Sequence, residues 1–152
     1  MDKRILHVWQ PVTCLEKANV IFAKLTYGNS NETNGLRLEL TDGAGNAVEI
    51  VYDQWSVTMV DYIWTFRHVN EIKRCDLNRL IDRADFSVLN DSTAQHFYKM
   101  ENSDFLEWYD QLPWLGSGDV PHVEHHIYMY NDGVFEVIAD YEPKFIVKKA
   151  GS

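Results

Sequence analysis

Cysteine is scarce in this sequence, and its scarcity excludes two classes of small protein. The 152 residues contain only two cysteines, Cys14 and Cys75. They are too few for a disulfide framework and are not spaced as paired zinc or redox ligands. This usage is typical of a reducing compartment, so we expect a cytoplasmic protein.

Long hydrophobic runs are also missing. The longest, such as VIFA and VFEVIA, are far shorter than the roughly 18 residues that a membrane-spanning helix needs. The first residues, MDKRILHVWQP, do not form a signal-peptide core, because His7, Gln10 and Pro11 interrupt the apolar positions. We therefore expect no membrane partner.

Linear motifs of catalysis and phosphate binding are absent from the sequence. Gly43 and Gly45 lie in a glycine-rich turn that lacks the Lys-Ser/Thr of a P-loop. Neither Gly-x-Ser-x-Gly nor His-Glu-x-x-His occurs. We expect a protein without enzymatic activity and without a cofactor, although an active site can also be assembled from residues distant in sequence.

The sequence is rich in acidic and aromatic residues. Asp and Glu number 23 against 14 Lys and Arg, which gives a formal charge of −9. Such a charge repels nucleic acid and favours basic partners by electrostatic steering, and it also promotes solubility by itself. Hydrophobic residues make up 45% of the chain and aromatic residues 13%, which indicates a globular, sheet-rich protein.

Alternating polar and apolar residues predict strands in the first half of the chain. RILHVWQ and ANVIFAKLTYG are predicted strands, residues 29–35 a polar loop, and residues 36–52 a hairpin around the glycine-rich turn. Residues 55–66 continue the strand pattern. No repeat or linker interrupts the sequence, so we predict one domain over residues 1–152.

Two short helices are predicted in the second half. Residues 76–86 place Leu77, Leu80 and Ile81 at helical spacing, with Asp76 as a candidate N-cap. After a short strand over residues 95–100, Asn102 or Ser103 can cap a second helix, which Pro113 stops. Its apolar stripe comprises Phe105, Leu106, Trp108, Tyr109 and Leu112. The prediction is an α+β fold: a mainly antiparallel sheet with one or two short helices packed on it.

Histidines crowd the stretch PHVEHHIYMY. Residues two apart on a strand share a face, so His122, Glu124 and His126 point one way, at about 6.6 Å spacing. Zinc accepts this combination of ligands, so a small metal-dependent enzyme or metal-binding protein is one alternative. No further candidate metal ligand occurs at the spacing of a known motif. The simpler interpretation of these three residues is the polar outer face of a strand. The predicted core face comprises Val123, His125, Ile127 and Met129.

A closing hairpin is predicted around Asn131, Asp132 and Gly133, because these residues tolerate the positive φ of tight turns. On its second strand, alternation places Phe135, Val137 and Ala139 in the core and Glu136 and Asp140 in solvent. Pro143 ends the pairing.

The C-terminal third resembles a family of small bacterial cytosolic proteins, several of which look like products of contact-dependent or polymorphic toxin–immunity loci. The pattern is a capped, aromatic helix followed by the hairpin, and it covers about residues 95–146. The matching positions are Asn102, Ser103, Phe105, Leu106, Trp108, Tyr109, His125, His126, Tyr128, Asn131, Asp132, Glu136, Val137, Ile138 and Pro143.

The resemblance implies an immunity protein that binds and neutralises a cognate bacterial toxin, with no nucleic-acid partner of its own. Such a toxin is expected to be basic, for example a nuclease, because an acidic protein can occupy a phosphate-binding surface. The candidate contact residues are Asp110, Trp114, Asp119, Asp132, Glu136, Asp140 and Glu142. We expect Trp108 to be buried and Trp114 to be exposed. The chain is expected to be a monomer or weak homodimer, and a self-associating structural subunit is a further alternative.

Overall fold

Two antiparallel sheets and two α-helices make up the computed structural model, which describes residues 2–16, 19–30, 34–89 and 97–150. The strands are β1 (Ile5–Val8), β2 (Ile21–Asn29), β3 (Asn34–Thr41), β4 (Ala47–Tyr52), β5 (Thr65–Asn70), β6 (Phe97–Glu101), β7 (Glu124–Tyr130), β8 (Gly133–Ala139) and β9 (Lys144–Lys148). The helices are α1 (Asp76–Arg83) and α2 (Asp104–Asp110), with short 3-10 turns at Glu71–Arg74 and Phe86–Val88. The α+β, strand-rich prediction is confirmed.

The strands divide into a five-stranded sheet, in the order β1-β6-β7-β8-β5, and a four-stranded sheet, β2-β3-β4-β9. The hairpin of β7 and β8 turns at Asn131-Asp132, where Asp132 adopts a φ of 69°. Its prediction from turn chemistry is therefore confirmed. Beyond Pro143 the chain leaves the five-stranded sheet, and β9 pairs with β4 of the other sheet.

The five-stranded sheet is covered on both faces. One face packs against the four-stranded sheet, and their shared core contains Leu38, Ile50, Phe135 and Val137. The helices cover the other face, where Leu77 and Leu80 of α1 join Ile127 and Val134, and Phe105 of α2 joins Ile138. Because of this layering, β7 and β8 are buried on both sides.

The prediction of a strand over residues 55–66 is wrong. Most of this stretch is a loop closed by a single bridge, in which the Ser56 N–H donates to the Asp61 carbonyl at 2.8 Å. Val60 turns the chain back with a φ of 55°, so the stretch cannot continue as an extended strand. The paired strand starts only at Thr65, as β5.

Other element boundaries shift by a few residues. Helix α1 ends at Arg83 because Ala84 is extended, and Cys75 rather than Asp76 holds its N-cap position. Ser103 caps α2 as predicted, accepting from the Leu106 N–H at 3.0 Å. Parts of three predicted elements lie outside the described residues: Ala18 of the second strand, Asn31–Thr33 of the loop, and Gln95 and His96 of the strand before α2.

No helix in the described ranges is long and apolar enough to cross a membrane.

Candidate functional site

A cleft of about 760 Å³ opens beside the start of α2. The chain reaches it at the end of β6, where Asn102 adopts a left-handed φ of 56°. This turn redirects the backbone from strand to helix, so that Ser103 lies at both the helix cap and the cleft wall. The lining residues are Lys3, Met100, Glu101, Asn102, Ser103, Leu106, Glu107, Asp110, Gln111, Val123 and His125.

Three side chains form a continuous hydrogen-bonded chain from the cleft wall into the protein. The Ser103 Oγ lies 2.7 Å from Nδ1 of His125. Nε2 of the same ring lies 2.9 Å from Oε1 of Glu136. Ser103 is half-buried, whereas His125 and Glu136 are fully buried between the sheet and the helices.

Two arginines bind Glu136, the innermost of these three hydrogen-bonded side chains. Nε of Arg67 donates to Oε2 of Glu136 at 2.6 Å and its Nη2 donates to Oε1 at 3.1 Å, while Arg74 also donates to Oε2. The Arg67 guanidinium lies 4.1 Å above the Phe105 ring, which ties this ion cluster to α2. Arg74 in turn donates to Asp76 at the start of α1. The cluster therefore joins both helices to the sheet.

The charge states of the cluster follow from burial and hydrogen bonding. Burial by itself would raise the pKa of Glu136, but hydrogen bonds from His125 and Arg67 outweigh it and hold that pKa well below its ordinary value. Burial lowers the pKa of His125, against the opposing effect of Glu136. We therefore assign an ionised Glu136 and a neutral His125 at neutral pH.

Exposed apolar side chains lie on α2 and in the loop that follows it. Trp108 is 52% exposed, Leu112 is 40% exposed and Leu115 is 103% exposed. We call these three residues the α2 surface. Glu107 and Asp110 on α2 also line the acidic cleft, so apolar and acidic groups stand side by side on the same helix.

A second buried polar chain lies on the other face of β7, between the two sheets. Tyr128 and Tyr52 share a short hydroxyl contact, and the Tyr52 hydroxyl lies 2.7 Å from Nδ1 of His126. Nε2 of His126 reaches Glu124 at 3.1 Å, and Lys99 donates to the same carboxylate at 3.0 Å. The hydrogen bond from His126, together with that from Lys99, lowers the pKa of Glu124 to about 2 although burial opposes the shift.

The three residues considered as metal ligands do not come together as a site. His122 lies in an exposed turn before β7, whereas His126 is fully buried and both of its ring nitrogens have hydrogen-bond partners. Within the part of the chain that the structure describes, no group of three or more His, Cys, Asp or Glu side chains is placed to hold a metal ion.

The expectation that His126 and Glu136 face solvent is wrong. Both side chains are fully buried, because β7 and β8 have packed layers on both faces. Glu136, one of the candidate contact residues, therefore contributes to the internal ion cluster and not to the acidic surface.

The other candidate contact residues divide into separate regions. Asp110 lines the cleft and accepts from the Ser117 N–H at 3.0 Å, and Asp119 is exposed in the loop after α2. Asp132 is exposed at the β7–β8 turn. Asp140 and Glu142 follow the opposite end of β8, about 25 Å from Asp132 at the rise of an extended strand. Asp140 accepts from Ser56, and Glu142 pairs with Lys99.

The expectations for the two tryptophans of the α2 region are also wrong. Trp108, expected to be buried, is more than half exposed and stacks against Phe105 at 5.9 Å between ring centroids. Trp114, expected to be exposed, is half-buried against Trp64, and its Nε1 donates to the Tyr109 carbonyl at 3.1 Å. The loop after α2 folds back onto the sheet, so Trp114 takes the inner position.

The sequence reasoning missed Arg67 and Arg74 and placed no chemistry on Ser103 or His125. One signal was available: β8 reads GVFEVIA, an apolar run with a single charge inside it. Such a run indicates a strand buried on both faces, and a charge buried there needs a partner of opposite sign.

Comparison of the chain with protein-family models, with curated proteins and with solved structures finds no match.

Proposed function

We propose that this protein is a cytoplasmic immunity protein that binds a basic bacterial toxin and neutralises it. The sequence resemblance supplies the functional class, and the α2 surface beside the acidic cleft is the observation that carries the proposal. The partner is expected to present a basic surface with an apolar centre.

The α2 surface has the composition of a protein–protein contact. Interface hot spots favour tryptophan at the centre of an apolar patch with a polar rim. Trp108 supplies the aromatic anchor, and Leu112 and Leu115 are further exposed apolar side chains in the segment that follows it. Glu107 and Asp110 supply negative charge beside it.

Charge supports the choice of a basic partner. The chain carries a formal charge of −9, and of the charged residues lining the cleft Lys3 is basic while Glu101, Glu107 and Asp110 are acidic. Opposite charges accelerate association and exclude acidic competitors. An immunity protein needs fast association, because it must reach the toxin before the toxin reaches its target.

The first experiment is co-expression of this chain, carrying an affinity tag, with the product of the gene immediately upstream. The proposal predicts a stoichiometric complex with a basic protein that is toxic when expressed alone and harmless when this chain is present. If the upstream product is harmless by itself and does not bind this chain, the proposal fails.

Two matched tryptophan variants test the site. Trp108→Ala should weaken binding about 30-fold or more, the level of a hot-spot residue. Trp55→Ala removes a tryptophan of similar exposure, 45% against 52%, in the loop before β5 and should change the affinity by less than about threefold. Isothermal titration calorimetry of both variants measures the difference, and equal losses would contradict the assignment of the site.

Charge variants test the cleft independently. A double variant, Glu107→Gln with Asp110→Asn, should slow association and flatten its dependence on salt, because acidic residues at a rim act mainly on the association rate. Surface plasmon resonance at several salt concentrations measures both effects. An unchanged salt dependence would place the electrostatic contact elsewhere on the chain.

A second copy of this chain is the alternative occupant of the α2 surface. Size-exclusion chromatography with light scattering separates this possibility from toxin binding. A dimer that Trp108→Ala dissociates would favour the self-associating subunit over the immunity protein.

A further inference from the structure

We propose that the cleft beside α2 is also a hydrolytic active site of the acyl-transfer class. Ser103 is the nucleophile, His125 is the general base, and Glu136 is the positioning residue that orients His125. This inference does not depend on the immunity function.

The first support is the geometry. A nucleophile and its base need to lie within hydrogen-bond reach, about 2.6–3.2 Å, with the base oriented by a third group. The distances of 2.7 Å from Ser103 to His125 and 2.9 Å from His125 to Glu136 meet both conditions. Ser103 and His125 both line the cleft, and Ser103 is half-buried there.

The second support is the direction of the protons. The Leu106 N–H donates to the Ser103 Oγ at 3.0 Å, which leaves the hydroxyl hydrogen for donation to Nδ1 of His125. Nδ1 is then the acceptor and Nε2 carries the ring proton, which it donates to ionised Glu136. General-base catalysis requires a neutral histidine whose unprotonated ring nitrogen accepts the hydrogen bond from the serine hydroxyl.

The third support is the rigidity of the inner end. Arg67 donates to both oxygens of Glu136 and Arg74 donates to Oε2. Phe105 packs edge-on against the His125 ring at 5.4 Å. A helix cap needs only the contact between Ser103 and Leu106. The buried histidine, carboxylate and arginines behind that cap hold one imidazole orientation, as a positioned catalytic base demands.

The reaction balances with an ester and water as the only reactants. The Ser103 Oγ attacks the acyl carbon while its proton passes to Nδ1 of His125. The tetrahedral intermediate collapses, the C–O bond to the alcohol breaks, and the alcohol leaves with that proton. Water then attacks the acyl-serine, again losing a proton to His125, and Ser103 regains its proton as the carboxylic acid departs.

The cleft also indicates the substrate class. Lys3 places an ammonium at the cleft, where it can stabilise a developing oxyanion. Nδ2 of Asn102 donates to the Lys3 carbonyl at 2.9 Å and so holds this segment at the cleft wall. Glu101, Glu107 and Asp110 make the rest of its charged lining acidic. We infer that the preferred substrate is an ester that carries a cationic group.

The test is active-site labelling of the intact, folded chain with a fluorophosphonate probe. Digestion and peptide mass spectrometry then identify the labelled residue. The proposal predicts a phosphonyl group on Ser103. Ser103→Asn removes the hydroxyl but keeps a good helix cap, so it should abolish labelling while circular dichroism stays unchanged. Ser87→Ala removes an exposed serine that also contacts a carboxylate and should label like wild type. Labelling of another serine, or none at all, would overturn the proposal.

Hydrolysis of p-nitrophenyl esters tests the base and the substrate class. His125→Gln keeps a group that can accept from Ser103 and donate to Glu136, yet it should lower kcat/KM by about 10²–10⁴-fold, the usual contribution of a general base. An ester with a cationic acyl group should react about tenfold faster than a neutral one. A wild-type rate equal to that of Ser103→Asn would refute the assignment.

Discussion

Replacement of Glu136 by glutamine tests whether the buried ion cluster stabilises the fold. The substitution keeps the side-chain volume and removes one negative charge. The Glu136 side chain is fully buried, and Arg74, its most buried cationic partner, is only 9% exposed. Arg74 and Arg67 would then lose a charged acceptor that is itself fully buried, although the Arg67 side chain is 33% exposed.

The expected cost follows from this burial. Removal of one partner from a buried ion pair costs about 3–5 kcal/mol when the other charge is left uncompensated. Arg74 keeps its pair with Asp76 and the Arg67 side chain is 33% exposed, so we expect a cost at the lower end, about 3 kcal/mol. In a chain of this size, each kcal/mol corresponds to about 2–4 °C in Tm, so Glu136→Gln should lower Tm by roughly 6–12 °C. Urea denaturation followed by tryptophan fluorescence measures the free energy of unfolding directly.

The pH dependence gives a second readout of the same substitution. The pKa of Glu136 is lower in the folded protein than in the unfolded chain. Its stabilising contribution is therefore complete above the unfolded value, about 4.3, and is lost as the pH falls towards the folded value. Below about pH 5, wild type should lose stability more steeply than Glu136→Gln. Burial lowers the pKa of His125 and Glu136 opposes this effect, so Glu136→Gln lowers that pKa further. The loss of stability due to His125, which starts near pH 6.5, then extends to lower pH in the variant and offsets part of the difference expected from Glu136.

Glu101→Gln is the matched control. Glu101 pairs with His7 on the surface, where both side chains are more than half exposed. Exposed pairs contribute about 0–1 kcal/mol, so this variant should stay close to wild type. If Glu136→Gln costs less than about 1 kcal/mol and keeps the wild-type pH slope, the cluster does not stabilise the fold in the way we argue.

Two further variants test local features of the fold. Tyr52→Phe removes the hydroxyl that lies 2.7 Å from Nδ1 of buried His126, and it should cost about 1–3 kcal/mol in urea denaturation; a smaller loss would indicate that His126 finds another partner. Gly35→Ala should destabilise the protein by more than about 1 kcal/mol, because Gly35 has a φ of +96° and a new Cβ would lie 2.0 Å from the Tyr52 carbonyl oxygen. Gly118→Ala, where a Cβ would meet nothing within 4 Å, should change stability by less than about 0.5 kcal/mol, and similar losses in both glycine variants would contradict this reasoning.

Local chemistry made the hairpin and the second helix predictable from sequence. Asn131, Asp132 and Gly133 supply residues suited to a tight turn, and Asp132 does adopt a positive φ. Ser103 accepts from the third backbone amide beyond it, as a cap should. Both signals depend on a few neighbouring residues, so no knowledge of the tertiary fold was needed.

The faces of β7 and β8 could not be predicted in the same way. Alternation assigns one face to the core and the other to solvent, and this assumption fails when both faces are covered. Here the four-stranded sheet covers His126, while Glu136 faces the helix side. The arginine partners of Glu136 come from β5 and the following 3-10 turn, more than 60 residues away in sequence. No linear spacing connects them.

Helix α2 connects the two proposals, and this connection decides which variants are informative. On its inner side, Phe105 and the capping residue Ser103 contact the buried cluster. On its outer side, Trp108 is exposed. A variant of the buried cluster, such as Glu136→Gln, would weaken the contacts of Phe105 and Ser103 that tie α2 to the sheet, and so would affect the tests of both proposals together. Trp108→Ala and Ser103→Asn each change one side of the helix. Loss of binding without loss of labelling in the first, and the reverse in the second, would show that one helix serves two separate functions.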